Sequence, residues 1–168
     1  LRIPDDASLS ISIASLYKIL GARWDYFDAI VGLLRSQPNH HHLLILGQGE
    51  ELFQKRVREA GLADRFHVWG KRADLIPYYR GADFLIETFP LMGGNVRQEA
   101  MVLACPIIVV NPPGFEQNTR FLGLPEGYPI VSHQVELEAL AAAFIQQPTQ
   151  RDQLGQGLAE FAAQNFSY

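Results

Sequence analysis

The chain has 168 residues, of which 48% are apolar and 19% charged, and its formal net charge is −4. This composition is ordinary for one globular domain, and no apolar run approaches the roughly 18 residues that a membrane span needs. An acidic balance without a basic cluster argues against a nucleic-acid partner. We therefore expect a soluble, cytoplasmic protein with one domain over residues 1–168 and no membrane span.

The start of the chain predicts a piece of a longer protein. It begins at Leu1 rather than Met, and a Pro-Asp-Asp stretch precedes the first apolar segment. Such a stretch is typical of a linker, which we assign to residues 1–8. The single cysteine, Cys105, has no partner in the chain for a disulfide, and its position beside Pro106 predicts a small buried residue.

Strand and helix patterns alternate from residue 10 onward. Residues 10–16 alternate small polar and apolar side chains, which predicts a strand, and residues 24–34 place apolar side chains at helical spacing. The apolar run at 42–46 is typical of a strand buried on both faces. Further strands are predicted over 66–69, 83–86, 107–110 and 130–131, and helices over 50–60, 74–80, 95–103, 134–145 and 148–164. This order predicts a Rossmann-like, doubly wound α/β domain with a parallel sheet.

In such a sheet, ligands bind beyond the carboxyl ends of the strands. The loop after the fourth strand carries Gly93 and Gly94, which allow close backbone approach, and Asn95 then begins a helix. A helix N-terminus attracts phosphate through unpaired N–H groups and its dipole. Lys18 follows the first strand and could neutralise a diphosphate. One turn into the helix, Glu99 could accept the hydroxyls of a ribose.

Several other site types are poorly supported by the sequence. Residues 47–49 read Gly-Gln-Gly, but the third glycine of a dinucleotide fingerprint is missing, and no Gly-Lys-Ser or Gly-Lys-Thr occurs. His40, His41 and His42 are consecutive at the entrance to a strand, so their side chains alternate in direction and should not bind one metal ion together. There is also no Gly-x-Ser-x-Gly elbow of a hydrolase. We predict no metal and no cofactor.

Residues 87–101 read Glu-Thr-Phe-Pro-Leu-Met-Gly-Gly-Asn-Val-Arg-Gln-Glu-Ala-Met, and Cys-Pro-Ile-Ile-Val follows at 105–109. This pattern resembles the donor-site signature of GT-B glycosyltransferases. It is most similar to the O-GlcNAc transferase family and the related bacterial protein N-glucosyltransferases, in which an acid-Thr-(Phe/Pro)-Pro segment leads to a phosphate loop and a helix acid, here Glu99. The pair Tyr17-Lys18 and the stretch at 120–126 also resemble those families.

The resemblance implies the C-terminal, donor-binding half of a GT-B enzyme. Such an enzyme moves a hexose or N-acetylhexosamine from a UDP-sugar to an acceptor. The resemblance to these families implies that the acceptor is a protein and that the reaction inverts the anomeric configuration. The acceptor domain would lie in a missing N-terminal half, so this fragment alone would be inactive. By the same likeness, Lys18 contacts the diphosphate as the catalytic residue, and Glu99 binds ribose. The backbone around the start of the helix holds the phosphates, at Gly93, Gly94, Asn95 and Val96. The residues near the base are Trp69, Gly70, Lys71 and Arg72.

Two departures keep alternatives open. The O-GlcNAc transferases have a histidine and two threonines in the phosphate loop, where this chain has Gly94, Asn95 and Val96. Retaining GT-B enzymes carry a Glu-x7-Glu pattern, whose first glutamate falls here at Leu91, and this favours the inverting branch. A retaining enzyme, a non-catalytic interaction module and a nucleotide-sugar epimerase of GT-B architecture remain alternatives. Arg97 is a second candidate for the phosphate-binding cation.

Overall fold

Strands and helices alternate in the computed structural model, which describes residues 3–21, 24–115 and 123–166. The strands are β1 (Ser8–Ala14), β2 (His40–Leu46), β3 (Phe66–Trp69), β4 (Phe84–Ile86), β5 (Ile107–Val110) and β6 (Ile130–Val131). The helices are α1 (Tyr26–Ser36), α2 (Glu50–Glu59), α3 (Ile76–Gly81), α4 (Gly94–Val102), α5 (Gln134–Gln146) and α6 (Pro148–Asn165). The predicted alternation is confirmed.

All six strands are parallel, and they lie in the order β3-β2-β1-β4-β5-β6. The chain therefore moves outward in one direction from β1 to β3 and in the other from β4 to β6. Between β1 and β4 the crossovers diverge, and a crevice opens at their carboxyl ends. The Rossmann-like fold is confirmed, and this switch point marks where a ligand would bind.

Side chains from both faces of the sheet form two separate cores. Alternation along β2 sends Leu44 and Leu46 to one core, which also contains Phe53 of α2, and sends Leu43 and Ile45 to the other. Every residue of β2 is buried, as expected for a central strand covered on both sides. Each buried side chain of this size contributes about 1.5–3 kcal/mol through the hydrophobic effect.

The first strand is shifted relative to its prediction. β1 begins at Ser8, inside the predicted linker, and ends at Ala14 rather than at residue 16. A 3-10 turn over Leu16–Lys18 follows, closed by a hydrogen bond of 3.0 Å from the Lys18 N–H to the Ser15 carbonyl. A turn made by local hydrogen bonds leaves no mark in the two-residue periodicity from which the strand was predicted.

The three consecutive histidines lie at the amino end of β2, on the edge opposite the crevice. Their side chains alternate as predicted. His41 Nδ1 lies 3.1 Å from His67 Nε2, whereas His40 and His42 both share hydrogen bonds with the Ser10 hydroxyl, at 2.8 and 2.7 Å. No group that could hold a metal ion occurs among the residues in the described ranges.

The environment of the single cysteine and the character of the helices bear on two further expectations from the sequence. Cys105 is buried, as predicted, and burial raises the pKa of its thiol to about 12. Within residues 3–21, 24–115 and 123–166, no helix combines the length and apolar character that crossing a bilayer would require.

Candidate functional site

A cleft of about 760 Å³ opens at the carboxyl ends of β1 and β2. Its described lining contains three basic side chains, Lys18, Lys71 and Arg72, and no acidic one. The rest of the lining comes from the last residues of β1 and β2 and the segments that follow them, together with Leu75 and Val96. In a chain of net charge −4, such a concentration of positive charge predicts a site for an anionic ligand.

Lys18 lies next to the loop that precedes α4. The Leu91 N–H donates to the Lys18 carbonyl at 3.2 Å, which joins the two loops through their backbones. A Cβ placed on Gly93 would lie 3.7 Å from Lys18 Nζ and 3.3 Å from the Cβ of Val96. Gly93 is therefore the point where the loop passes close to the ammonium group. The structure brings together Lys18 and the glycine loop, as the sequence predicts.

The amino end of α4 borders this cleft through Val96, whereas Gly93, Gly94 and Asn95 are absent from its described lining. Gly93 is the N-cap and makes no side-chain cap hydrogen bond, and the first turn holds no acid. A Cβ on Gly94 would meet no atom within 4 Å, so the space beside it is free. The first N–H groups of a helix have no partner within the helix, and the dipole places partial positive charge there. Phosphate oxygens would be stabilised at this position.

Glu99 and Asn95 line a smaller cleft of about 320 Å³ on the outer side of α4. The Tyr79 hydroxyl donates a hydrogen bond of 2.9 Å to Glu99 Oε2, which connects α3 to α4. Burial raises the pKa of Tyr79, so the hydroxyl keeps its proton and acts as a donor. A carboxylate has room for further donors, so Glu99 can still accept hydroxyls of a ligand. The sequence offered no sign of Tyr79, because the contact spans 20 residues between two helices.

The residues after β3 divide into two groups. Lys71 and Arg72 line the large cleft, whereas Trp69 and Gly70 are absent from its described lining. Trp69 supports the loop instead, since the Arg72 guanidinium carbon lies 5.0 Å from the centre of its ring. A Cβ on Gly70 would lie 3.0 Å from Glu50 Oε1, so this glycine allows α2 to pack closely.

Arg97 does not face the cleft, which corrects its interpretation as a second phosphate-binding cation. Its side chain is buried and forms a two-point ion pair with Glu87, from Nε to Oε1 at 2.8 Å and from Nη2 to Oε2 at 2.6 Å. The reason is helical geometry, because Arg97 lies one turn after Gly93 on the face of α4 that packs onto the sheet. Of the predicted stretch 120–126, residues 120–122 lie outside the described residues.

The sequence profile of the family described as "Glycosyl transferases group 1" matches residues 11–147. No curated protein matches the chain. Among solved structures, a mutant O-GlcNAc transferase from Thermobaculum terrenum is 18% identical with a TM-score of 0.75, over 95% of this chain and 32% of that one. Anabaena Alr3699/HepE, solved with UDP and glucose, is 18% identical with a TM-score of 0.73, over 96% of this chain and 45% of that one.

A third solved structure has nearly the same extent as this chain. The C-terminal domain of the group 1 glycosyl transferase LpcC from Francisella tularensis is 17% identical with a TM-score of 0.72, over 97% of this chain and 87% of that one. By contrast, the chain spans about a third of the O-GlcNAc transferase and under half of HepE. At these identities the likeness shows the fold, which is that of one half of a GT-B enzyme.

Proposed function

Because the chain belongs to the glycosyl transferases group 1 family, we propose that it is the donor-binding domain of an enzyme that transfers a hexose or N-acetylhexosamine from a UDP-sugar. One observation carries the proposal. Lys18, Lys71 and Arg72 line a cleft whose described lining holds no acid, next to the open amino end of α4. A diphosphate is the anion that would use both features.

In this proposal Lys18 is the catalytic residue. When the sugar leaves, negative charge grows on the departing diphosphate, and an ammonium group placed there in advance lowers the barrier. Backbone N–H groups around Gly93, Gly94, Asn95 and Val96 hold the same phosphates, so Lys18 and the helix supply the positive charge. We propose that no metal cofactor is needed for this step.

The nucleoside would lie along the outer parts of the site. Glu99, held by Tyr79, would accept ribose hydroxyls. Lys71 and Arg72 would border the base, with Trp69 and Gly70 supporting their loop. The choice of UDP is supported by HepE, whose structure contains UDP and glucose.

Stereochemistry and acceptor form a further part of the proposal. Leu91 occupies the position of the first glutamate in the Glu-x7-Glu pattern, which favours an inverting enzyme. From the resemblance to the O-GlcNAc transferases we propose a protein acceptor in the cytoplasm. Residues of an N-terminal domain would then bind the acceptor and supply the base. A retaining enzyme would instead preserve the anomeric configuration, which proton NMR of the product of the full-length protein distinguishes.

Titration of UDP into the isotopically labelled 168-residue chain tests the proposal. We expect amide shifts near Gly94 and Glu99, and a rise in the UDP Kd of at least several-fold in Lys18→Ala. Lys55→Ala is the matched control, because Lys55 lies on α2 and pairs with Glu59 at 3.8 Å. Unchanged spectra at millimolar UDP would refute a donor site and favour a non-catalytic module.

A further inference from the structure

One buried ion pair joins the two ends of the loop between β4 and α4. Glu87 directly follows β4, and Arg97 lies in the first turn of α4, so the pair closes a loop of residues 88–96. The two side chains are 2% and 4% exposed, and two hydrogen bonds of 2.8 and 2.6 Å join them. Parallel bonds of this kind fix the guanidinium plane as well as its distance.

Stability alone does not account for this pair. Removing two charges from water costs several kcal/mol for each, and apolar residues of similar volume often serve a fold equally well. One contact of the pair reaches into the loop, since Arg97 Nη2 also lies 3.2 Å from Met92 Sδ, while Glu87 accepts a backbone hydrogen bond from Val110 of β5. Within the same loop, the Thr88 hydroxyl donates a hydrogen bond of 3.2 Å to the Leu91 carbonyl, and the Leu91 N–H donates to the Lys18 carbonyl.

We propose that Glu87 and Arg97 are positioning residues, which hold residues 88–96 so that the amides of Gly94 and Asn95 and the ammonium group of Lys18 face one point. Neither side chain touches the ligand. Arg97 sets the direction in which α4 begins, and Glu87 holds Arg97 to the end of β4. The part of this inference that concerns UDP rests on the proposed function.

The first test needs no ligand. The double variant Glu87→Leu/Arg97→Met removes the pair without leaving a buried charge unpaired. We expect the NMR order parameters of the Gly94 and Asn95 amides to fall from about 0.85, typical of rigid backbone, to below about 0.6. The amides of β2 should keep their values. Unchanged order parameters at Gly94 and Asn95 would overturn the inference.

The second test separates positioning from stability. We expect the UDP Kd to rise at least tenfold in the double variant, measured where unfolding curves show a fully folded chain. Arg65→Met is the control, because Arg65 Nη1 donates to the carbonyls of Leu34, Gln37 and His40 at the opposite edge of the sheet. It should lower the free energy of unfolding and leave the UDP Kd within twofold.

The outcomes distinguish the two proposals. If the wild-type chain binds no UDP at millimolar concentration, the proposed function fails, while the order parameters still decide whether the pair fixes the loop. If the wild type binds UDP and the double variant binds it within twofold, the positioning role is refuted and the donor site stands.

Discussion

The contact between Tyr79 and Glu99 is the residue-scale feature on which ribose binding would depend. Tyr79→Phe removes only the hydroxyl, which donates to Glu99 Oε2 at 2.9 Å and also contacts the Val96 carbonyl at 3.4 Å. A lost hydrogen bond to a charged group costs about 1.5–3 kcal/mol, but Glu99 can exchange the hydroxyl for water at the edge of its cleft. We therefore expect the UDP Kd to rise about three- to tenfold, measured by calorimetry.

Tyr78→Phe is the matched control for that measurement. Tyr78 precedes Tyr79 on α3, and its ring packs edge-on against Trp69, with ring centres 5.9 Å apart. Phenylalanine keeps that packing, so the UDP Kd should stay within twofold. Equal UDP affinity in Tyr79→Phe and wild type would show that Glu99 binds no part of the ligand through this arrangement.

A pair of adjacent glycines provides a steric test of the phosphate loop. A methyl group at Gly93 would lie 3.3 Å from the Cβ of Val96 and 3.7 Å from Lys18 Nζ, whereas one at Gly94 would meet no atom within 4 Å. We expect Gly93→Ala to raise the UDP Kd at least fivefold by displacing Val96 or Lys18, as seen in a UDP titration. Gly94→Ala displaces no protein atom, so it should leave Lys18 in place and raise the UDP Kd only as far as its methyl group meets the phosphates. An unchanged UDP Kd in Gly93→Ala would contradict the placement of Lys18.

At the scale of whole elements, the close contact between α6 and the loop that follows α4 depends on Gly155. A Cβ at this position would overlap with the Ala104 carbonyl oxygen and would lie 3.1 Å from Pro106 Cγ. The helix must move away to accept it, and overpacking of this kind costs about 1–3 kcal/mol or more. We expect Gly155→Ala to lower the free energy of unfolding in urea by at least 2 kcal/mol.

The control for this prediction lies two residues farther along the same helix. Gly157 has open space where its Cβ would be, so alanine meets no obstacle. Replacing glycine by alanine inside a helix stabilises it by about 0.8–1 kcal/mol. Gly157→Ala should therefore raise the free energy of unfolding, and a loss in both variants would mean that the contact with Ala104 is not the cause.

How far the sequence predicts each element depends on how local its determinants are. β2 and α1 were predicted within two residues at each end, because apolar periodicity records which face is buried. The predicted end of β1 was wrong because the hydrogen bonds of a 3-10 turn override that pattern. The side-chain contacts of the site could not be predicted from local patterns, because Glu87 and Arg97 are 10 residues apart in the sequence and Tyr79 and Glu99 are 20 apart.

The whole molecule places its two polar regions at opposite edges of the sheet. Loops at the carboxyl edge carry Lys18, Lys71 and Arg72 around the cleft, and the amino edge carries the buried histidines. The alternation of strands and helices predicts the carboxyl edge as the site, because the switch point follows from topology. It does not predict the histidine network, whose partners come from three different elements.

That network makes the stability of the molecule depend on pH. His40 and His42 are 1% and 0% exposed, and they are hydrogen-bonded to Ser8, Ser10 and Tyr26. Burial lowers the pKa of His40 to about 3 and lowers that of His42 well below 6.5. Both rings therefore stay neutral in the folded chain, whereas they take up protons near pH 6.5 in the unfolded chain.

Acidification below pH 6.5 should consequently destabilise the fold. Below pH 6.5 the unfolded state binds more protons, and each such histidine reduces the free energy of unfolding by about 1.4 kcal/mol per pH unit. His67, which lies against His41 and whose pKa burial lowers to about 4, adds to this effect. We expect a fall of at least about 2 kcal/mol between pH 6 and pH 5 in urea unfolding, with little change between pH 8 and pH 7. His42→Gln should reduce that slope by about a third. An equal slope in wild type and His42→Gln would show that the buried rings are not what the acid acts on.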